Sequence, residues 1–124
     1  MIDHISIGVR DLARTKRFYD AALKPLGYEC LSESGESLGY GREVAVFCAA
    51  IAERPVPADD ASGLHFCFTA PTRSSVDEFH AAALRSGGRD NGAPGLRWYH
   101  PDYYGAYVLD PDGNNIEAVC HQPA

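Results

Sequence analysis

Three side chains, His4, His65 and Glu117, give this sequence its most useful chemistry. His4 and His65 each head an alternating stretch, "DHISIGV" and "LHFCFT", and Glu117 interrupts the otherwise apolar "NIEAVC". Two imidazoles and a carboxylate can hold a divalent first-row metal on one side of its coordination sphere and leave the other positions for water and substrate. Fe, Mn, Ni and Zn all suit imidazole, and the carboxylate adds charge that favours a divalent ion. A substrate with two neighbouring oxygens could chelate such an ion, which would then stabilise an enolate, an alkoxide or bound dioxygen.

Residues this far apart meet only if the chain places them at equivalent points of repeated units. Set against itself at a shift of 61 residues, the separation of His4 and His65, the sequence also aligns Phe18 with Phe79, Ala21-Ala22-Leu23 with Ala82-Ala83-Leu84, and Gly27 with Gly88. A fixed, gapless offset is the mark of an internal repeat. Between the halves, "AERPVPADDASG" lacks periodicity and reads as a connector. Two modules follow, about 1–52 and 62–124, with a linker at about 53–61 inside one 124-residue domain.

Each module opens with a strand whose apolar side is Ile5, Ile7 and Val9, or Leu64, Phe66 and Phe68. The opposite sides carry His4, Ser6 and Gly8, or His65, Cys67 and Thr69. A helix comes next. In the first module Asp11 is the expected N-cap, Leu12, Thr15, Phe18, Tyr19, Ala22 and Leu23 form the apolar stripe, and Pro25 with Gly27 stops it. In the second, Ser75 and Glu78 have capping-box spacing, Val76, Phe79, Ala83 and Leu84 form the stripe, and Gly87-Gly88 ends it. Extended pieces complete each unit: "YECLSE", "SLGYG" and "EVAVFCAA", then "LRWYH", "GAYVLD" and "NIEAVC". The expected architecture is α+β, a βαβββ unit occurring twice. Alternation along the last strand turns Glu117 the same way as Val119 and His121, away from Ile116, Ala118 and Cys120.

Composition narrows the function classes. Lys and Arg number 11 against 17 Asp and Glu, a formal charge of −6, with no basic cluster beyond "RTKR", so nucleic acid is not an expected partner. No apolar run approaches the roughly 18 residues needed to cross a bilayer, and Asp3 and His4 stand where a secretion signal would be basic and then apolar. Cys30, Cys48, Cys67 and Cys120 form no C-x-x-C pair and lie in apolar segments, as in a reducing compartment. A cytoplasmic protein is the expectation.

The stretches "DHISIGVRDLARTKRFYDAAL", "GLHFCFTAP", "FHAAALRSGG" and "YVLDPDGNNIEAV" resemble the vicinal oxygen chelate superfamily, which includes glyoxalase I, bleomycin-resistance proteins, fosfomycin-resistance enzymes and type I extradiol dioxygenases. The resemblance spans nearly the whole chain. It implies paired βαβββ modules in a cupped mixed sheet, a homodimer, one divalent ion bound by His4, His65 and Glu117, and a small-molecule substrate.

Departures from the family patterns bear on the reaction. Glyoxalases usually carry a further Glu late in the first module, where "VAVFCAA" places Ala45 or Phe47, which weakens a lactoylglutathione lyase reading. Tyr107, Asp110, Pro111, Gly113 and Glu117 keep an extradiol spacing with His100 at its histidine position, although Trp98 and Ala106 break it. That match makes His100 the candidate acid/base and Tyr107 a group to orient an oxygen. A fosfomycin-type transferase shares the metal set, but no basic cluster stands out to grip a phosphonate, and Arg42, Arg89 and Arg97 are scattered candidates. The aromatic loop "GLRWYHPDYYG" suits a cover over an organic ligand or a dimer contact. Phe47, Arg97, Trp98 and Tyr104 are the candidate substrate-facing residues. The other reading from sequence is a metal-free protein of the bleomycin-resistance type that sequesters an aromatic or cationic drug.

Overall fold

The structure, a computed structural model, describes the backbone of residues 1–124 and every side chain except that of Asp60. The first half of the chain runs β1 (Ile5–Val9), α1 (Leu12–Leu23), β2 (Glu29–Glu33), β3 (Ser37–Gly41) and β4 (Ala45–Ile51). The second repeats the order with β5 (His65–Thr69), α2 (Arg73–Arg85), β6 (Arg89–Leu96), β7 (Tyr104–Leu109) and β8 (Asn115–Cys120). Each half makes a four-stranded mixed sheet, ordered β1-β4-β3-β2 and β5-β8-β7-β6. The first and last strands of each half pair in parallel, and the remaining pairs are antiparallel. This is the expected α+β fold.

Local chemistry sets the boundaries. Asp11 caps α1 by accepting from the Arg14 amide at 3.0 Å. A 3₁₀ turn through Pro25 then ends in Gly27, whose φ of +85° is left-handed. In α2 the cap lies three residues earlier than the Ser75–Glu78 spacing suggests. Thr72 is the N-cap, and its hydroxyl accepts from the Ser75 amide at 3.0 Å while the Ser75 hydroxyl accepts from the Thr72 amide at 3.0 Å.

A second difference concerns "LRWYH". The strand ends at Leu96, and Arg97 to Tyr103 turn back as the β6–β7 loop, closed by the Arg97 amide donating to the Tyr103 carbonyl at 2.7 Å. β6 lies instead over "RDNGAPGL", a Gly- and Pro-containing stretch that reads as a loop. It can be a strand because it is at the sheet edge, where Pro94 forfeits no interior ladder bond and register shifts flank Gly92. Leu64, expected on the apolar face, precedes β5 and is exposed, as is Leu84 at the end of its stripe.

One core joins the halves. Phe18, Tyr19, Leu23, Tyr40 and Phe47 from the first half pack with Phe68, Val76, Phe79 and Ile116 from the second. The junction is aromatic: Phe47 meets Phe68 edge to face at 5.2 Å between centroids and Tyr19 at 5.0 Å.

The β7–β8 turn is held from both halves. Asp110, only 2% exposed, accepts from the Asp112 and Asn114 amides and the Asn114 side chain, each at 2.9 Å. Its fourth donor, the Tyr19 hydroxyl on α1, lies at 2.6 Å. Burial first, and the Asp110 charge second, hold the Tyr19 phenol well above its ordinary pKa, so it remains a donor. Arg14 pairs with Asp112 of the same turn. Replacing Tyr19 by Phe removes one of four bonds to a buried carboxylate and should destabilise the fold by about 1.5 kcal/mol, and Asp110→Ala by roughly 3 kcal/mol. Urea unfolding with an unchanged m-value measures both, and losses below about 0.5 kcal/mol for the pair would contradict this role for the turn.

Candidate metal and proton-transfer site

Glu117 occupies β8, between β5 and β7. Its cross-strand partners are Cys67 on β5 and Tyr107 on β7. Ile116, Ala118 and Cys120 take the helix side and are fully buried, so alternation sends Glu117 to the opposite face. There it is nevertheless only 1% exposed. The β6–β7 loop covers it, and the Tyr103 hydroxyl donates to Glu117 Oε2. This approach needs Gly105, because a Cβ there would lie 3.2 Å from the Tyr103 ring and 3.3 Å from Oε2.

The other carboxylate oxygen, Oε1, faces His65 Nε2 at 3.2 Å. The His65 ring packs edge to face on Tyr107, with centroids 5.8 Å apart, and 40% of its side chain reaches solvent. The Tyr107 hydroxyl donates to that of Tyr99 at 3.4 Å. Around the carboxylate every acid keeps its proton. Burial first, and Glu117 after it, push the Cys67 thiol up to about 12 and raise the Tyr103 phenol. Tyr107 is raised by burial, by its bond with Tyr99, and by the Glu117 charge. The result is a buried carboxylate beside neutral phenols and a neutral thiol, with Tyr103 as its hydroxyl donor.

The placement of His65 decides whether a cation fits. Its Nδ1 lies 3.2 Å from the Gly63 carbonyl oxygen, which can only accept, so the ring proton belongs on Nδ1. Nε2 then turns a lone pair toward a carboxylate oxygen, an arrangement that calls for a second ring proton or a cation between the two. A carbonyl-fixed Nδ1–H with Nε2 free is how histidine ligates metal. His65 and Glu117 therefore fit one side of a divalent ion.

The remaining expected residues divide sharply. His4 precedes β1, half-exposed, with Nδ1 2.6 Å from Asp3, and among the described residues no three His, Cys, Asp or Glu side chains of this chain converge to hold a metal. One chain thus presents two of the expected three donors. His100 has the rings of Tyr103 and His121 as neighbours, at 6.0 and 6.5 Å, and it is Tyr103 that reaches Glu117. Arg97 lies over the Tyr107 ring at 5.7 Å, with its guanidinium donating to the Gly95 and Ala93 carbonyls. Trp98 is 89% exposed and meets Tyr99 edge-on. Phe47 is in the core on the helix side, and Tyr104 also turns to the helices, donating to Asp77 at 2.7 Å. Tyr103 and Cys67 carry more of the site than sequence reasoning assigns them. Cys67 was reachable through register, because pairing His65 with Asn115 sets Cys67 beside Glu117.

Comparison with known proteins agrees with this fold. The Glyoxalase/Bleomycin resistance protein/Dioxygenase superfamily matches residues 1–118. A glyoxalase/bleomycin resistance protein from Albidiferax ferrireducens T118 is 32% identical, with 98% of each chain covered and a TM-score of 0.82. A putative glyoxalase from Bacillus halodurans, 24% identical over 97% of this chain and 95% of its own, superposes with a TM-score of 0.72. The fosfomycin resistance protein FosX from Listeria monocytogenes, 17% identical over 97% and 92%, has the same fold with a TM-score of 0.71. No curated protein matches the chain. With two repeated sheet units, their helices on one shared core and a family match over nearly its whole length, the chain belongs to the glyoxalase/bleomycin resistance/dioxygenase superfamily.

Proposed function

We propose that the protein is a metal-dependent enzyme acting on a small molecule with neighbouring oxygens, with His65 and Glu117 holding one divalent ion, Fe, Mn, Ni or Zn. The observation that carries this reading is the His65 ring, fixed by Gly63 on one side and facing a buried carboxylate on the other. A bound ion would supply Lewis-acid stabilisation of negative charge on substrate oxygen. The chain's own groups have separate tasks. Tyr103 orients Glu117, and the Tyr107 hydroxyl, bonded to Tyr99, is placed to orient a substrate oxygen beside the site. His100 acts through Tyr103, as a positioning group. Whether lyase or dioxygenase chemistry follows depends on the ion.

The third donor in this reading is His4 from a second copy in a homodimer. β1 is a sheet-edge strand, and His4 is half-exposed beside the exposed Met1 and Ile2, a segment suited to reaching another chain. Fosfomycin-type transfer has less support, since Arg42 and Arg97 already donate to backbone carbonyls. The four free cysteines suit a cytoplasmic setting, and no helix is long and apolar enough to cross a membrane.

A second reading, metal-free sequestration of an aromatic or cationic drug, is favoured by one feature. Glu117 already has Tyr103 and His65 as partners, and Tyr99, with Trp98 edge-on against it, bonds to Tyr107 beside the site. Metal titration separates the two. In calorimetry with Ni²⁺ or Mn²⁺, the wild type should bind about one ion per chain, and His65→Ala or Glu117→Gln should weaken binding by more than the roughly 10–100-fold typical of supporting residues. Absence of titratable metal in the wild type would transfer the assignment to sequestration. The shared site has its own test. His4→Ala and His65→Ala chains, each deficient alone, should recover part of the metal binding when refolded together, and failure to recover any would exclude a site shared between copies.

A further inference from the structure

We propose that the cleft between the two halves is a second binding site, for an uncharged molecule with an apolar body and a lactam or carboxamide edge. A cavity of about 450 Å³ opens where β1, the start of β5 and the turn before β8 meet beneath the connector. That volume lies within the range of small-molecule sites, roughly 300–1,000 Å³. Ile7, Phe66, Leu64 and Val56 give it apolar walls, and Leu64 and Val56 are 65% and 85% exposed, which leaves apolar surface for a ligand to cover. The connector that closes it is seated at both ends. The Ala52 amide donates to the Val9 carbonyl at 3.0 Å, and a Cβ on Gly113 would touch Ala58 at 3.4 Å.

The polar end names the ligand. Asn91 Nδ2 donates to Asn115 Oδ1 at 3.1 Å, and both residues line the cavity. That bond leaves the Asn91 oxygen as an acceptor and the Asn115 NH₂ as a donor, neither with another hydrogen-bond partner among the described residues. An acceptor on one amide and a donor on its bonded neighbour complement the N–H and C=O of a cis amide edge. Among the described side chains lining the cavity, Asp59 alone is charged, and it accepts from the Ala61 amide at 2.9 Å, so the cavity offers little to a charged ligand. The site uses neither His65 nor Glu117 and is independent of the metal reading.

Titration with 2-quinolone, a neutral bicyclic lactam, followed by two-dimensional ¹H–¹⁵N NMR, tests the proposal. The expected result is one saturable event with shifts at Gly8, Leu64, Asn91 and Asn115, retained in Glu117→Gln. N-methyl-2-quinolone, which lacks the N–H, should bind about tenfold more weakly, as should 2-quinolone to Asn91→Ala. Ala58→Trp, on the exposed connector, should abolish binding by filling the cavity and serves if Asn91→Ala does not fold. The proposal fails if no saturable event occurs, if the shifts gather on Trp98 and Tyr99, or if the lactam and its N-methyl derivative bind alike.

Discussion

A carboxylate removed from water on a sheet face is the constraint that organises this molecule. Taking a charge out of solvent costs several kcal/mol even after the protein relaxes, so Glu117 requires charge-assisted partners. The structure supplies them from two directions, Tyr103 from the β6–β7 loop and His65 from the start of β5, and sets Cys67 and Tyr107 beside the carboxylate on the flanking strands. Each depends on a specific backbone feature. Gly105 makes room for the Tyr103 hydroxyl, the Gly63 carbonyl sets the His65 ring, and the β5–β8–β7 register aligns the rest.

The site residues gathered in this chain all come from its second half, yet their positions rely on the first. Tyr19 and Arg14 of α1 reach across to Asp110 and Asp112, locking the turn that starts β8 two residues before Glu117. Phe47, which the sequence offers as a candidate for substrate contact, serves in the junction with Phe68 instead. The first half thus acts within one chain as scaffold, while its own histidine, His4, faces outward.

Periodicity made most of the fold legible. The 61-residue offset anticipates two matching strand–helix–strand units, and both helices and β8 fall where apolar spacing puts them. The misreading of β6 has a local cause. An edge strand tolerates Gly92, Pro94 and Gly95 because its outer side needs no ladder partner, so its composition imitates a loop, while the aromatic "LRWYH" imitates a strand. In the site, His65 and Glu117 were legible from the repeat and from strand alternation, and Tyr107 from the family resemblance. Tyr103 was not, since the path of a seven-residue loop from Arg97 to Tyr103 follows from tertiary packing rather than spacing. His4 shows the limit of repeat symmetry: equivalent sequence positions do not bring two side chains together when one chain packs its halves through their helices.

The central claim is that His65 and Glu117 face one another across the place of a cation. Crystals of the protein loaded with Ni²⁺ or Mn²⁺, measured at that metal's absorption edge, test it most directly. The account predicts an anomalous peak about 2.0–2.2 Å from both His65 Nε2 and a Glu117 oxygen. A peak elsewhere, such as between His100 and His121, or no peak in crystals soaked in excess metal, would contradict it.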